Sequence, residues 1–181
     1  MDSDAESVSA QAGRRPRADL LAPAPFSTLL STWGGIGLLP GPTGTWGSAA
    51  AVVVAELLFA RFGLVSVALL ATFATVAGIP AASRTARLLG RKDPKEVVVD
   101  EVAGQAITLA GFHAAFPGST GGAYWGGVAA AFLLFRLLDI VKPGPVRRLE
   151  ALPGGTGIVL DDVAAGVLGA LAFVAARFAL R

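Results

Sequence analysis

Five carboxylates in this chain stand where they could do chemistry. Asp100 and Glu101 are adjacent in DPKEVVVDEVAGQ (93–105), Asp139 lies in FRLLDIVKPGP (135–145), and Asp161 and Asp162 end GGTGIVLDD (154–162). Each motif borders an apolar run, and VAAGVLGALAFVAA follows the last pair directly. Negative charge at such a border is costly without a positive partner. Two like charges about 4 Å apart repel by roughly 4 kcal/mol at an effective dielectric of 20, so five acids at one depth need a cation to stay ionised together. The available donors are hard oxygens. There is no cysteine, and the one histidine, His113, lies in the apolar string ITLAGFHAAF and reads as a packing residue. This donor set selects magnesium over zinc. Asp100, Glu101, Asp139, Asp161 and Asp162 are the candidate metal ligands and catalytic groups. Magnesium keeps waters and takes phosphate oxygens as further ligands. Arg136 and Lys142 add positive charge suited to a phosphate. Glycines 41, 44, 47, 154, 155 and 157 would let backbone N–H groups approach an anion. Gly44, Thr45 and Gly155 are the candidate contacts to it in these loops. Together the groups suit phosphoryl chemistry at a membrane surface.

Each piece also has a plain structural reading. Asp161 and Asp162 could cap the helix that follows them and match its dipole, and Glu101 could be a first-turn charge of the same kind. Arg136 and Asp139, three apart, could be an ordinary helical ion pair. Lys142 precedes Pro143, which biases it to extended backbone, and it could simply snorkel. Glu56, alone inside an apolar segment, reads as structural.

Hydrophobic residues make up 54% of the chain and charged residues 15%, well below the roughly 25% of a soluble domain. With a mean hydropathy of +0.64, this is the composition of a membrane protein. The net charge of +2 gives no reason to expect a nucleic-acid partner. Residues 1–25 are polar, with GRRPR near their end, and read as a disordered cytoplasmic tail. Residues 26–181 form one membrane domain. The glycine-rich WGGIGLLPGPTGTWGS (33–48) reads as a loop or broken helix.

Five apolar segments follow, at 46–60, 64–82, 102–116, 122–138 and 163–180, giving an expected all-α bundle with glycine-rich connections. The second is about 28 Å long as a helix, while the first and third reach only about 22 Å, short for simple spans of a core about 30 Å thick. Small-residue strings such as AAAVVVAE, GGVAAA and AAGVLGALA suit close helix contact in lipid. The connections carry the topology. Arg84, Arg87, Arg91, Lys92 and Lys95 lie between the second and third segments, and Lys142, Arg147 and Arg148 between the fourth and fifth. If all five segments cross, both basic connections and the tail with Arg14, Arg15 and Arg17 share one side, which the excess of Lys and Arg assigns to the cytoplasm. All four motif stretches then converge on that face. Every acid of the apolar segments except Glu56 gathers there, and charges at a membrane border are functional candidates.

Four strings, LLPGPTGTWGS, DPKEVVVDEVAGQ, FRLLDIVKPGP and GGTGIVLDDVAAG, occur in the order found in the phosphatidylglycerophosphatase A family and cover residues 33 to about 170. The chain resembles that family. The resemblance implies an all-helical, multi-pass protein of the bacterial inner membrane with its site on the cytoplasmic face. It implies a magnesium-dependent phosphatase that converts phosphatidylglycerophosphate in the bilayer to phosphatidylglycerol and inorganic phosphate. The family's DE pair falls on Asp100 and Glu101, its FR–D–KP motif on Arg136, Asp139 and Lys142, and its DD pair on Asp161 and Asp162. Two positions depart from the usual pattern, the placement of Pro42 in GPTGT and the small Gly144.

Either a metal-activated water attacks phosphorus with a carboxylate as base, or an aspartate attacks first and forms an acyl-phosphate. A cluster of acids favours the first. Other classes lack their residues. Histidine-based lipid phosphatases need two histidines, haloacid-dehalogenase phosphatases need DxDxT, and CDP-alcohol transferases need DGxxAR. A phosphatase of another membrane lipid phosphate remains an alternative. So does a small ion or magnesium transporter, which would place acids at mid-membrane on several helices.

Overall fold

In the computed structural model, residues 23–180 are described, and they are helical with no strand among them. A short α1 (Pro25–Ser31) and a single 3-10 turn (Ile36–Leu38) precede α2 (Thr43–Phe62), α3 (Leu64–Leu89), α4 (Val99–Ala115), α5 (Gly121–Val141), α6 (Gly144–Glu150) and α7 (Gly155–Ala179). The expected all-α bundle with five long helices is therefore observed. The tail expected over 1–25 falls, up to residue 22, outside the described residues, and Pro25 already begins α1.

Helices α2, α3, α5 and α7 are long and apolar enough to cross a membrane. With 25 residues, α7 is about 37 Å long, more than the hydrocarbon core. The fifth long helix differs. It has 17 residues, and 13 of them are buried, so α4 is an interior rod. The other four long helices all pack on it. That explains why its apolar segment is short.

Close contact along α4 depends on small residues, as the sequence suggested. A Cβ on Gly104 would meet the Asp162 carbonyl oxygen at 2.5 Å and the Phe135 ring at 2.3 Å. One on Gly166 would meet the Gly104 carbonyl oxygen at 2.4 Å, and one on Gly111 would meet Ala170 at 2.4 Å. Thr108 Oγ1 donates to the Gly104 carbonyl at 3.1 Å and the Gly166 carbonyl at 3.3 Å. The backbones of α4 and α7 thus cross without intervening side chains, as small-residue faces permit in lipid.

Several boundaries move from their sequence positions. Helix α3 runs to Leu89, seven residues past its apolar segment, with Arg84 and Arg87 on its last turns and Gly90 in a left-handed cap. The stretch 33–48 holds the 3-10 turn, and α2 already begins within it at Thr43. Most important, α7 begins at Gly155 with Gly154 as its N-cap. Asp161 and Asp162 are its seventh and eighth residues, past the first turn. The reading of them as caps of this helix is overturned, because the orphan N–H groups of a helix lie in its first turn.

Candidate active site

Topology brings the motifs to one end of the bundle. A cavity of about 370 Å³ is lined by the 41–44 segment at the start of α2, by Asp93, Lys95 and Val97 before α4, and by Asp100 and Glu101 on its first turn. Arg136, Asp139 and Lys142 from the end of α5 and Ile158, Asp161 and Asp162 from α7 complete it. Helices α2, α4 and α7 start at this cavity, and α3 and α5 run toward it, so the five alternate in direction. All five expected carboxylates share the cavity with Arg136, Lys142 and Gly44.

The acids are not equivalent. One carboxylate oxygen from each of Asp100, Glu101 and Asp162 lies within 4.8 Å of the other two. Asp100 and Asp162 are 8% and 4% exposed. Asp100 Oδ1 and Glu101 Oε2 are buried without a hydrogen bond, as are both amide atoms of Gln105 one turn further along α4. A buried polar atom without a partner costs about 1–3 kcal/mol. Three converging oxygen donors, of which Asp100 and Glu101 each keep an unpartnered buried oxygen, are a set that a hard cation fits.

The other two acids are paired. Asp139 Oδ2 accepts from Arg136 at 2.7 Å, and Arg136 also lies 3.9 Å from Glu101. Asp161 Oδ2 accepts from Lys142 Nζ at 2.7 Å, and Glu150 on α6 takes the same ammonium at 3.1 Å. The pair of hydrogen-bonded carboxylates holds the Lys142 ammonium above the ordinary lysine range: burial alone would lower it, but Asp161 and then Glu150 outweigh that. Asp93, although it reaches solvent at the rim, is raised above the usual carboxylate range. Desolvation is the main cause and the charges of Glu150 and Asp139 add to it, while Lys142 and Lys92 oppose it.

Lys142 corrects a sequence expectation. Its backbone is left-handed, with φ 47° and ψ 68°, not extended. This one residue ends α5 and turns the chain into Pro143, and the ammonium is thereby delivered to Asp161 and Glu150.

The glycines divide as well. Gly44 belongs to the site, since a Cβ there would sit 2.3 Å from Glu101 Oε1 and 3.0 Å from the Arg136 guanidinium, a tight non-bonded contact. Gly41 lines the cavity. Thr45 is not among the lining residues. The Gly155 amide donates to Ser83 Oγ at 2.8 Å, and its missing Cβ admits the Ile79 carbonyl oxygen, so it joins α7 to α3. Gly47 and Gly157 make room for Val98 and for the Leu152 carbonyl oxygen. Close packing, more than anion binding, accounts for these glycines.

Sequence reasoning left out Thr43, Asp93, Lys95 and Glu150. Asp93 had a signal, since it opens DPKEVVVDEVAGQ. Glu150 had none, because only the turn after Lys142 brings it back to the site.

The comparisons agree with the geometry. The phosphatidylglycerophosphatase A family model matches residues 29–177. A Haemophilus influenzae protein named phosphatidylglycerophosphatase A is 32% identical over 83% of this chain and 88% of its own. An Escherichia coli protein of the same name is 38% identical over 78% of each. A Bacteroides thetaiotaomicron protein, provisionally named a phosphatidylinositol-3-phosphatase, is 40% identical over 87% of this chain and 98% of its own. No solved structure matches the chain. The match across nearly all described residues, on a helical membrane protein whose acids converge at one end, places the chain in the phosphatidylglycerophosphatase A family, an enzyme family of lipid phosphatases.

Proposed function

We propose that the protein is a magnesium-dependent phosphatase that hydrolyses phosphatidylglycerophosphate to phosphatidylglycerol and inorganic phosphate on the cytoplasmic face of the bacterial inner membrane. The observation that carries this reading is the convergence of Asp100, Glu101 and Asp162 within 4.8 Å, in a cavity that also holds Arg136 and Lys142. Six acidic and three basic side chains line that cavity. A phosphate dianion meets net repulsion there unless a cation is present, which supports a metal in the working site.

Asp100, Glu101 and Asp162 would hold magnesium, which when bound supplies Lewis-acid charge next to the phosphoryl oxygens. Arg136, oriented by Asp139, is aimed to bind those oxygens through its guanidinium. Water adds to phosphorus as the bond to the glycerol oxygen breaks. A wall carboxylate takes the proton of the water, and the departing glycerol oxygen takes up a proton. The site lies at the end of helices that span the bilayer, so a lipid phosphate reaches it with its acyl chains still in the hydrocarbon. The cytoplasmic assignment rests on the basic residues around the cavity end, Arg84 to Lys95 and Lys142 to Arg148.

The test is phosphate release by purified protein from phosphatidylglycerophosphate, beside phosphatidylinositol 3-phosphate, with and without magnesium. The second lipid is included because one relative carries that name. Release from phosphatidylglycerophosphate that needs magnesium is expected. No release from it, with or without metal, contradicts the reading.

A further inference from the structure

We infer that Asp161 is a positioning residue and not a metal ligand: together with Glu150 it fixes the Lys142 ammonium at the cavity wall, where that ammonium binds the substrate phosphate. This rests on the phosphatase reading and assigns the two members of the DD pair to different tasks.

Adjacent residues on a helix point about 100° apart. Asp162 faces Asp100 and Glu101 and shares their 4.8 Å cluster, which does not include Asp161. Asp161 instead meets Lys142 at 2.7 Å. It is a buried partner, with its side chain 5% exposed, while Glu150 is 44% exposed. The outer contact is therefore screened by solvent and acts as a tether, and the inner one sets the position.

The backbone is built around this contact. Lys142 is one of only two non-glycine residues with positive φ among the described residues. That conformation is unfavourable for a residue with a Cβ, and such departures cluster at functional sites. The chain that follows is anchored independently. Val146 on α6 is fully buried against Phe135 and Ala165, so α6 returns Glu150 to the same ammonium. An ammonium has three donors, and two are used by Asp161 and Glu150. The third is left for a ligand in the cavity that Lys142 lines. Asp139 and Arg136 repeat the arrangement on the same helix at 2.7 Å.

The experiment separates metal binding from phosphate binding. Manganese, as a paramagnetic substitute, is titrated into purified full-length protein and followed by electron paramagnetic resonance, which needs no turnover. Kinetics on phosphatidylglycerophosphate are measured alongside. Asp161→Asn should bind manganese within about twofold of wild type and raise KM about tenfold, with a smaller change in kcat, a loss in line with one charge-assisted bond. Asp161→Glu should recover part of that KM. Glu150→Gln should raise KM about two- to threefold, as expected of a screened contact. Asp162→Asn should weaken manganese binding by about tenfold or more. Equal loss of manganese affinity in Asp161→Asn and Asp162→Asn would overturn the inference, as would an unchanged KM in Asp161→Asn. If Asp161→Asn does not accumulate in membranes, Lys142→Met takes its place, with the same KM rise and unweakened manganese binding expected and an unchanged KM overturning the inference. Absence of any phosphate release by wild type would remove the proposed function, and the manganese titrations would still decide whether Asp161 is a ligand.

Discussion

Helix α4 carries a buried polar cluster at each end, and the two differ in how their bonds are met. At the far end His113 Nε2 lies 3.0 Å from Glu56 Oε1, and the Tyr124 hydroxyl donates to Glu56 Oε2. The His113 ring stacks on Phe59, with centroids 3.7 Å apart. Both oxygens of the acid have partners, and the cluster ties α2, α4 and α5 together. At the near end Asp100, Glu101 and Asp162 face one another, with two carboxylate oxygens and the Gln105 amide unpartnered. The satisfied cluster holds helices. The unsatisfied one has bonding capacity that the described residues leave unused, which the proposed metal would take up. Burial of charge alone does not separate structure from function, but the completeness of its partners does.

The largest expected effect breaks this comparison at the near end. Asp162→Asn or Asp100→Asn should lower phosphate release by about a hundredfold or more, the range seen when an electrostatic catalytic group is removed. Thermal stability should hold or rise, because an uncompensated buried charge is lost. Activity and melting temperature of each variant, measured in the same detergent, check this. At the far end the pattern should invert. Glu56→Ala leaves His113 and Tyr124 without their acceptor and should cost about 2–6 kcal/mol of stability, from two unmet groups at roughly 1–3 kcal/mol each, while the folded fraction keeps its turnover. The milder Glu56→Gln, which retains an acceptor, should stay active.

The seam between the clusters gives the next effect. Gly104→Ala or Gly166→Ala places a methyl within about 2.5 Å of the opposing backbone. The α4–α7 crossing must widen, at a cost of about 1–3 kcal/mol. Because Asp100, Glu101 and Asp162 lie on these two helices, activity should fall more than stability does. Equal loss of both would mean that the crossing does not set the geometry of the acids. The smallest effect sharpens the assignment of sides. Cysteines introduced at positions 91 and 147 should be protected from an impermeant thiol reagent in intact cells, and labelling of either would place the near end outside.

A pH series offers one more reading of the near end. Because the Lys142 ammonium is raised above its ordinary value, the stability it contributes is fully present below the usual lysine pKa of about 10.4. It is lost only as pH rises through the higher folded value. The stability difference between wild type and Lys142→Met should therefore begin to narrow only above about pH 10. A difference that stays constant or widens above that value would mean that the ammonium does not contribute as its distances indicate.

What the sequence made legible was the identity of the acids and the end at which they meet. Acids are rare in so apolar a chain, and five alternating segments with basic connections leave one face for all of them. What it concealed depends on helix phase and on returns of the chain. Asp161 and Asp162 read as one pair because they are adjacent, yet the phase of α7 sends them to different partners. Lys142 precedes proline, and local preference gave extended backbone. The chain instead takes a left-handed turn there, with the ammonium set against Asp161 and Glu150. The glycines of GGTGIVLDD looked like an anion loop, and their close neighbours on α3 and in the preceding turn show that several are spacing devices. Glu56 and His113, 57 positions apart, gave no sign that they would meet.

The most direct measurement is phosphate release after exhaustive chelation, followed by titration with magnesium, on wild type beside Asp162→Asn. Chelated wild type should be inactive, magnesium should restore it, zinc should do so poorly, and Asp162→Asn should stay inactive at metal concentrations that saturate wild type. Full turnover by the chelated enzyme would contradict this.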